Sequence, residues 1–231
     1  MIPLHDDNPT EIAPVVTIAV IVICVLLFLW QSSLGGQGFQ AAVFSLGVIP
    51  AVLLDRAHLP PELALVPPYL TVLTSIFLHG GFMHLAGNML YLWIFGNNVE
   101  DAMGHMRFVF FYLLCGVAAV AGQVLQNPAS EIPMIGASGA ISGVLGAYLL
   151  LYPHARVLVL IPFGFYTRMI YLPAGWVLGL WFVLQVLSSL AADPNSPGVA
   201  WFAHIGGFLA GMALIPVFKY RRVTLFRHSR Y

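Results

Sequence analysis

Six long apolar runs take up most of this 231-residue chain. A run of about 20 mostly apolar residues matches a helix that crosses a hydrocarbon core of about 30 Å. Only 8% of the residues are charged, against about 25% in an ordinary globular domain, so the chain cannot cover itself with polar surface in water. The pattern predicts an all-α polytopic membrane protein built as a six-helix bundle. The predicted spans are about residues 12–32, 82–99, 107–126, 137–152, 169–190 and 200–219.

Little sequence remains outside these spans, which favours a single membrane domain over residues 1–231. We expect a short tail at 1–11, a membrane core over about 12–219 and a basic tail at 220–231. No lysine or arginine precedes the first run. That run therefore lacks the basic region of a cleaved signal peptide, and we expect it to persist in the mature protein.

The connection between the first two spans, residues 33–81, is the one long loop. It is punctuated by glycine and proline yet contains apolar stretches, which predicts an outer, partly membrane-embedded loop with short helices. Residues 161–171 hold a proline, a glycine and an arginine. We expect them to form an inner connection between the fourth and fifth spans.

The basic residues indicate how the chain is oriented. With a cytoplasmic N-terminus and six alternating spans, Arg56 alone falls outside. Because cytoplasmic loops carry the excess of lysine and arginine, we expect both termini to be cytoplasmic. A net charge of zero argues against a nucleic-acid partner, which needs a concentrated basic surface. The basic residues that fall inside are Arg107, Arg156, Arg168, Lys219, Arg221, Arg222, Arg227 and Arg230.

Four polar side chains stand out within the apolar runs: His84, Asn88, Ser138 and His204. Such side chains are costly in a membrane, so they usually face the bundle interior and serve a function. The second, fourth and sixth spans run in the same direction, which places all four residues near the outer ends of their helices. The length of the fourth span puts Ser138 on the order of 8 Å below the outer surface.

Glycines predict which helices approach each other closely. Gly207 and Gly211 form a small-residue pair on the face of the sixth span that carries the histidine. A second stripe, Gly139, Gly143 and Gly146, follows the serine on the fourth span. Small residues let helix backbones approach closely in lipid. We expect this contact to bring the serine hydroxyl within hydrogen-bonding distance of the imidazole, as a nucleophile and its general base require.

Each polar residue also has a purely structural interpretation. A serine at a helix start commonly caps the helix, and a membrane histidine often forms a hydrogen bond to another helix. His84 and Asn88, one turn apart, are equally compatible with an interhelical hydrogen-bond pair. A transporter or channel would need polar groups along a path through the membrane, whereas this polar cluster stops in the outer third.

Four motifs give the chain a family resemblance. They are HGGFMHLAGN at 79–88, a GxxxExxxG pattern centred on Glu100, GASG at 136–139 and AHIGGFLAG at 203–211. Over about residues 71–211 the chain resembles the rhomboid intramembrane serine proteases of the six-helix bacterial type. The GASG and AHIGGFLAG motifs, in this order and on separate spans, are together specific for this family, and neither motif alone would be.

The resemblance implies a role for each motif residue. Ser138 would be the nucleophile and His204 the general base, with no cofactor and no metal. His84, Asn88 and the Ser138 backbone N–H would stabilise the oxyanion. The positions of structural use would be His79, Glu100, Gly136, Gly139, Gly207 and Gly211.

The resemblance also implies a substrate and a location. The substrate would be a transmembrane segment of another membrane protein, cut near its outer end in a bacterial plasma membrane. We expect access past the fifth span, where Trp176, Trp181 and Phe182 would form a lateral gate beneath the 193–199 loop. The alternative is a rhomboid-like protein that binds transmembrane segments without cutting them, and it would be marked by loss of the dyad.

Two positions depart from the family pattern. Ser142 stands where the family often has an aromatic residue packed against the catalytic histidine, so we expect Tyr148 or Trp201 to orient His204 instead. The outer loop, 33–81, contains no tryptophan, whereas the family loop frequently carries a Trp-Arg pair.

Other protease classes do not fit the sequence. A zinc protease of the intramembrane type needs HExxH, which is absent. An aspartyl type needs two aspartates within spans, whereas every aspartate here falls in a loop, a tail or a helix end. The two cysteines, Cys24 and Cys115, lie in apolar runs, so we expect neither a disulfide nor a metal site.

Overall fold

The computed structural model describes residues 1–163, 166–193 and 198–226, which are mostly helical. A 3-10 turn at Ser75–Phe77 joins two of the helices. The helices are α1 Val15–Ser33, α2 Gly35–Leu46, α3 Pro50–Leu53, α4 Pro68–Thr74, α5 Phe82–Met103, α6 His105–Gln126, α7 Ser138–Leu151, α8 Ala174–Ala191 and α9 Trp201–Phe218. The strands are β1 Ile2–Asp6, β2 Arg156–Phe163 and β3 Tyr166–Pro173.

Several helices have the length and composition of membrane spans. Within the described residues, α1, α6, α8 and α9 are each long and apolar enough to cross a bilayer. The segment Pro68–Phe77 and α5 have the length and apolar composition of a span only when they are taken together, and the chain bends by 78° between them. The remaining apolar helix, α7, is shorter. The fold is therefore that of a polytopic membrane protein, and the count of six spans stays a prediction.

The expectation of an all-α chain is wrong, because three strands form an antiparallel sheet in the order β1-β2-β3. The fifth predicted span, 169–190, began too early for the same reason. Residues 169–172 pair with β2 (Leu160 opposite Met169, Val157 opposite Leu172), and the helix starts only after Pro173. A proline is tolerated at a helix start but not in its interior, so it separates strand from helix.

The sheet also changes the expected ends of the chain. Residues 2–6, predicted as part of a tail, pair with β2 as strand β1. Val157 and Val159 alternate toward the interior and are fully buried. The C-terminus of α7 leads into β2 through residues 152–155, so the sheet lies at the opposite end of α7 from Ser138.

The long connection 33–81 contains the short helices α2, α3 and α4, as predicted. Its anchor is backbone pairing, because Val48 and Met134 exchange N–H to O hydrogen bonds of 3.0 and 2.7 Å. The Thr74 hydroxyl also donates to the Leu46 carbonyl at 2.6 Å. These bonds hold the connection against the segment just before α7 without any tryptophan.

The predicted close approach of α7 and α9 is present. A Cβ atom at Gly207 would overlap the Gly139 carbonyl oxygen, and one at Gly211 would overlap that of Gly143. Gly146 likewise lies against the Phe208 backbone. Any larger residue at these positions would separate the two helices.

Glu100 joins the start of α1 to the end of α5. Its buried carboxylate accepts hydrogen bonds from the Val16 and Thr17 backbone N–H groups at 2.9 and 2.8 Å and from the Thr17 hydroxyl at 2.7 Å. His105 Nδ1 lies 2.6 Å from the same carboxylate. The carboxylate therefore satisfies N–H groups that a helix start leaves unpaired.

Candidate active site

Ser138 and His204 meet where α7 and α9 cross. Ser138 is the first residue of α7, and no side chain caps that helix. Its hydroxyl oxygen lies 2.8 Å from His204 Nε2, one turn into α9. The serine hydroxyl is therefore engaged by the imidazole and not by the helix start. This is the geometry in which a ring nitrogen can take the hydroxyl proton.

The second ring nitrogen of His204 has a partner that the sequence analysis missed. His204 Nδ1 lies 2.7 Å from Gln185 Oε1 on α8. Trp201, one of the two residues expected to orient His204, contacts the imidazole edge-on, with ring centroids 6.1 Å apart. The expectation for Tyr148 was wrong, because its hydroxyl donates to Asp6 Oδ2 at 2.6 Å, far from the histidine.

A signal for Gln185 was present in the sequence. It is the one amide side chain in the long apolar run that forms α8, and a polar group in a span usually has a partner in the bundle. The side chain is only 7% exposed. Which residue it contacts depends on how α8 is rotated about its axis relative to α9, and the sequence spacing does not predict that rotation.

Gly136 makes room for His84 beside the nucleophile. Its φ of +128° is a conformation that other residues rarely adopt. A Cβ atom there would lie 2.8 Å from two ring atoms of His84 and 3.7 Å from Ser138 Oγ. The His84 ring and the serine hydroxyl therefore both border the space beside Gly136. The His84 ring also packs edge-on against His79 at 5.2 Å between centroids.

Asn88 contributes an unpartnered donor. Its side chain is 9% exposed, and its Nδ2 has no hydrogen-bond partner among the residues that the structure describes. Buried donors are normally paired, so one that is not calls for an explanation. The expectation of an interhelical hydrogen-bond pair does not account for it, because that bond is absent from the described part of the chain. The amide group instead lines the cavity that contains the dyad.

That cavity has a volume of about 750 Å³. It is bounded by α5 to α9, by the segment before α7 and by residues 198–200. A volume of this size is typical of ligand sites. Its lining combines polar side chains with apolar ones, so a largely apolar substrate could pack against the apolar side chains while a peptide group contacts the polar ones. The side chains that line it include His84, Asn88, Ser138, Trp181, Gln185 and His204.

The three bulky residues expected to form a gate do not act as one group. Trp176 is 74% exposed and lies away from the cavity. Trp181 lines the cavity with its ring 5.9 Å from that of His204, and Phe182 stacks on Phe208 at 4.4 Å. Of the 193–199 loop, residues 194–197 lie outside the described residues.

Ser142, at the position of departure from the family pattern, faces its own helix. Its hydroxyl donates to the Ser138 carbonyl at 2.6 Å. The side chain is therefore used inside α7, and the imidazole is supported from α8 instead.

The sequence is similar to those of known proteins. The Rhomboid domain family model matches residues 68–221. The chain is 31% identical over 196 residues to the mitochondrial Rhomboid protein 1 of Saccharomyces cerevisiae, covering 76% of this chain and 49% of that protein.

Bacterial relatives match as well. Rhomboid protease GluP of Bacillus subtilis is 37% identical over 143 residues, which cover 62% of this chain and 25% of GluP. The putative rhomboid protease YdcA of the same organism is 36% identical over 78 residues, 34% of this chain and 39% of YdcA. The chain thus spans about half or less of the length of these relatives.

The family match includes every motif residue of the candidate site, from His79 to Gly211. The apolar helices agree with an integral membrane protein. Family model, relatives and membrane helices lead to one conclusion: this chain is a member of the rhomboid family.

Proposed function

We propose that this protein is an intramembrane serine endopeptidase that uses Ser138 and His204 as a catalytic dyad. The observation that carries the proposal is the 2.8 Å contact between Ser138 Oγ and His204 Nε2, on the wall of a cavity of about 750 Å³. The names of GluP and its relatives as proteases support the same reaction.

Proton transfer begins the reaction. His204 Nε2 takes the hydroxyl proton as Ser138 Oγ attacks the carbonyl carbon of the scissile bond. The tetrahedral intermediate then collapses, the C–N bond breaks and the proton passes from Nε2 to the leaving amine. Water, activated by the same nitrogen, hydrolyses the acyl-enzyme and restores the serine.

The proposed stabilisation of the oxyanion uses three donors. The Ser138 backbone N–H is at a helix start, where N–H groups have no intrahelical partner. The unpaired Asn88 Nδ2 and the His84 ring complete the set. Donors that already point at the site of the developing charge need no reorganisation when that charge forms on the substrate oxygen.

The proposed substrate is a transmembrane segment of another protein. A helical peptide bond is shielded by its own hydrogen bonds, and opening it in lipid leaves groups unsatisfied at a cost of several kcal/mol. The polar groups of the cavity would satisfy an unwound segment. Substrates with helix-breaking and small residues near the scissile bond should therefore be preferred, and access past α8 stays a prediction.

The proposed orientation places the sheet in the cytoplasm and the cavity toward the outer side. Charged contacts gather at the sheet end, where Arg156 pairs with Asp7 at 2.8 Å and Arg222 lies 3.7 Å from Glu11. The positive-inside rule favours this orientation. A bacterial plasma membrane as the location stays a proposal.

Cleavage by purified protein tests the proposal. Wild type in liposomes should cut a transmembrane reporter with a helix-breaking segment, and mass spectrometry should locate the cut near the outer end of that segment. Ser138→Ala and His204→Ala should both abolish cleavage while keeping the thermal unfolding midpoint.

The matched control is Ser142→Ala, which removes the next hydroxyl on the same helix and should retain activity. Cleavage that survives Ser138→Ala would disprove the mechanism. Binding of the reporter by wild type without any cleavage, on several reporters, would favour the alternative of a non-cleaving binder.

A further inference from the structure

Gln185 is a buried amide with both of its ends engaged. Its Nε2 donates to the Trp181 carbonyl at 3.3 Å, one turn earlier on α8. Its Oε1 lies 2.7 Å from His204 Nδ1. Burying an amide in an apolar helix is costly unless its hydrogen bonds are made. The side chain is therefore held in one orientation.

These contacts decide which ring nitrogen of His204 carries the proton. A carbonyl oxygen only accepts hydrogen bonds, so the NH₂ group of Gln185 must face Trp181 and its oxygen must face His204. An amide oxygen also only accepts, so His204 Nδ1 must carry the hydrogen. In the neutral ring Nε2 then has the free lone pair, and it is Nε2 that faces Ser138 Oγ.

We propose that Gln185 is a positioning residue that fixes the tautomer and the ring orientation of His204, a role that rests on the proposed function of the dyad. It acts from α8 while the dyad belongs to α7 and α9. Trp181 and Trp201 contact the imidazole from two further directions, tilted at 33° and edge-on at 86°. The amide supplies the hydrogen bond at Nδ1, whereas Nε2 faces the Ser138 hydroxyl.

The choice of an amide follows from the membrane setting. In soluble serine proteases the third group is a carboxylate, which orients the imidazole and also stabilises its charged form. A carboxylate within the bundle would carry a high desolvation cost. A neutral amide keeps the orienting bond at a smaller cost and gives up part of the charge stabilisation.

Two substitutions separate positioning from simple packing. Gln185→Met keeps the length and approximate volume but removes the acceptor, so kcat should fall about tenfold, the value of one lost hydrogen bond, while KM stays within about twofold. Gln185→Glu restores an acceptor and should recover activity. Its charge favours the protonated ring, so the acid limb of the pH–rate profile should move to higher pH.

The control on the same helix is Leu184→Met, which introduces the same residue at a half-exposed neighbouring position and should leave kcat unchanged. The cavity that holds the dyad is also lined by the titratable side chains of His84, Tyr91 and Asp193. His84→Ala and Asp193→Asn are therefore measured beside the glutamate variant to assign the shifted limb. A methionine variant with wild-type kcat would overturn the proposal. Equal losses in the methionine and glutamate variants would overturn it too, because they indicate packing alone.

A spectroscopic readout keeps the inference separate from the activity. Nitrogen-15 shifts of labelled histidine, assigned by difference from His204→Ala, should report Nδ1–H in wild type and a mixture of tautomers in Gln185→Met. That result with an inactive wild type would uphold the positioning role and count against the proposed protease function. An Nε2–H tautomer in wild type would overturn the positioning role whatever the activity.

Discussion

Asn88 shows how a single residue can connect burial with chemistry. Its side chain lines the cavity that holds the dyad, and its Nδ2 has no hydrogen-bond partner in the described part of the chain. That donor is therefore available to a substrate oxygen. The motif around residue 88 drew attention to this asparagine, but the missing hydrogen bond is visible only in the structure.

Replacing Asn88 tests this use of the donor. Asn88→Ala should lower kcat about 10²–10³-fold with little change in KM, because the donor acts on charge that develops in the transition state. Asn88→Asp keeps the shape and exchanges the donor for an acceptor, so it should be at least as inactive. Steady-state kinetics on a soluble-tagged reporter measures both. A rise in KM alone would assign Asn88 to substrate binding.

At the scale of helices, the dyad depends on how closely α7 and α9 pack. The glycine spacing predicted that contact, and the structure contains it. The hairpin of β2 and β3 was not predicted, because residues 169–172 are apolar and continue into an apolar helix. Periodicity cannot distinguish short apolar strands from helix, and only the pairing with β2 decides between them.

Gly211→Ala should disturb the dyad from two turns away. The added Cβ would overlap the Gly143 carbonyl, so α9 must shift, at a cost of about 1–3 kcal/mol in the free energy of unfolding. Both the unfolding midpoint and kcat should fall. The control is Gly179→Ala on α8, where a Cβ meets nothing within 4 Å and helix propensity improves. An unchanged midpoint in Gly211→Ala would contradict the packing argument.

Across the whole molecule, the sheet ties the N-terminus to the bundle. Asp6, at the end of β1, is 4% exposed and accepts hydrogen bonds from the Tyr148 hydroxyl at 2.6 Å and Asn98 Nδ2 at 2.9 Å. These partners are 142 and 92 residues away along the chain. Sequence spacing carries no signal for such distant contacts, and this explains why residues 1–11 were predicted to be only a tail.

The buried Asp6 carboxyl should make stability depend on pH. Burial raises its pKa from 3.8 to about 6, although the Tyr148 hydrogen bond opposes the rise. Between these values the folded state binds more protons than the unfolded state, so stability should fall as pH increases from about 4 to 6. A pKa difference of this size corresponds to about 3 kcal/mol in the free energy of unfolding.

Unfolding midpoints at pH 4.5 and 7 measure this dependence in detergent. Asp6→Asn should flatten it, whereas Asp7→Asn, which removes the surface contact to Arg156, should retain it. A wild-type midpoint that rises with pH over this range would contradict the assignment to Asp6.

The central claim is that Ser138 is a nucleophile activated by His204, and covalent labelling tests it most directly. A fluorophosphonate reacts with an activated serine oxygen and releases fluoride, so intact-mass and peptide mass spectrometry can locate the adduct. We expect a single adduct on Ser138 in wild type and none in Ser138→Ala or, over the same time, in His204→Ala. An adduct that forms equally in Ser138→Ala, or a wild type that cleaves its substrate while Ser138 stays unlabelled, would contradict it.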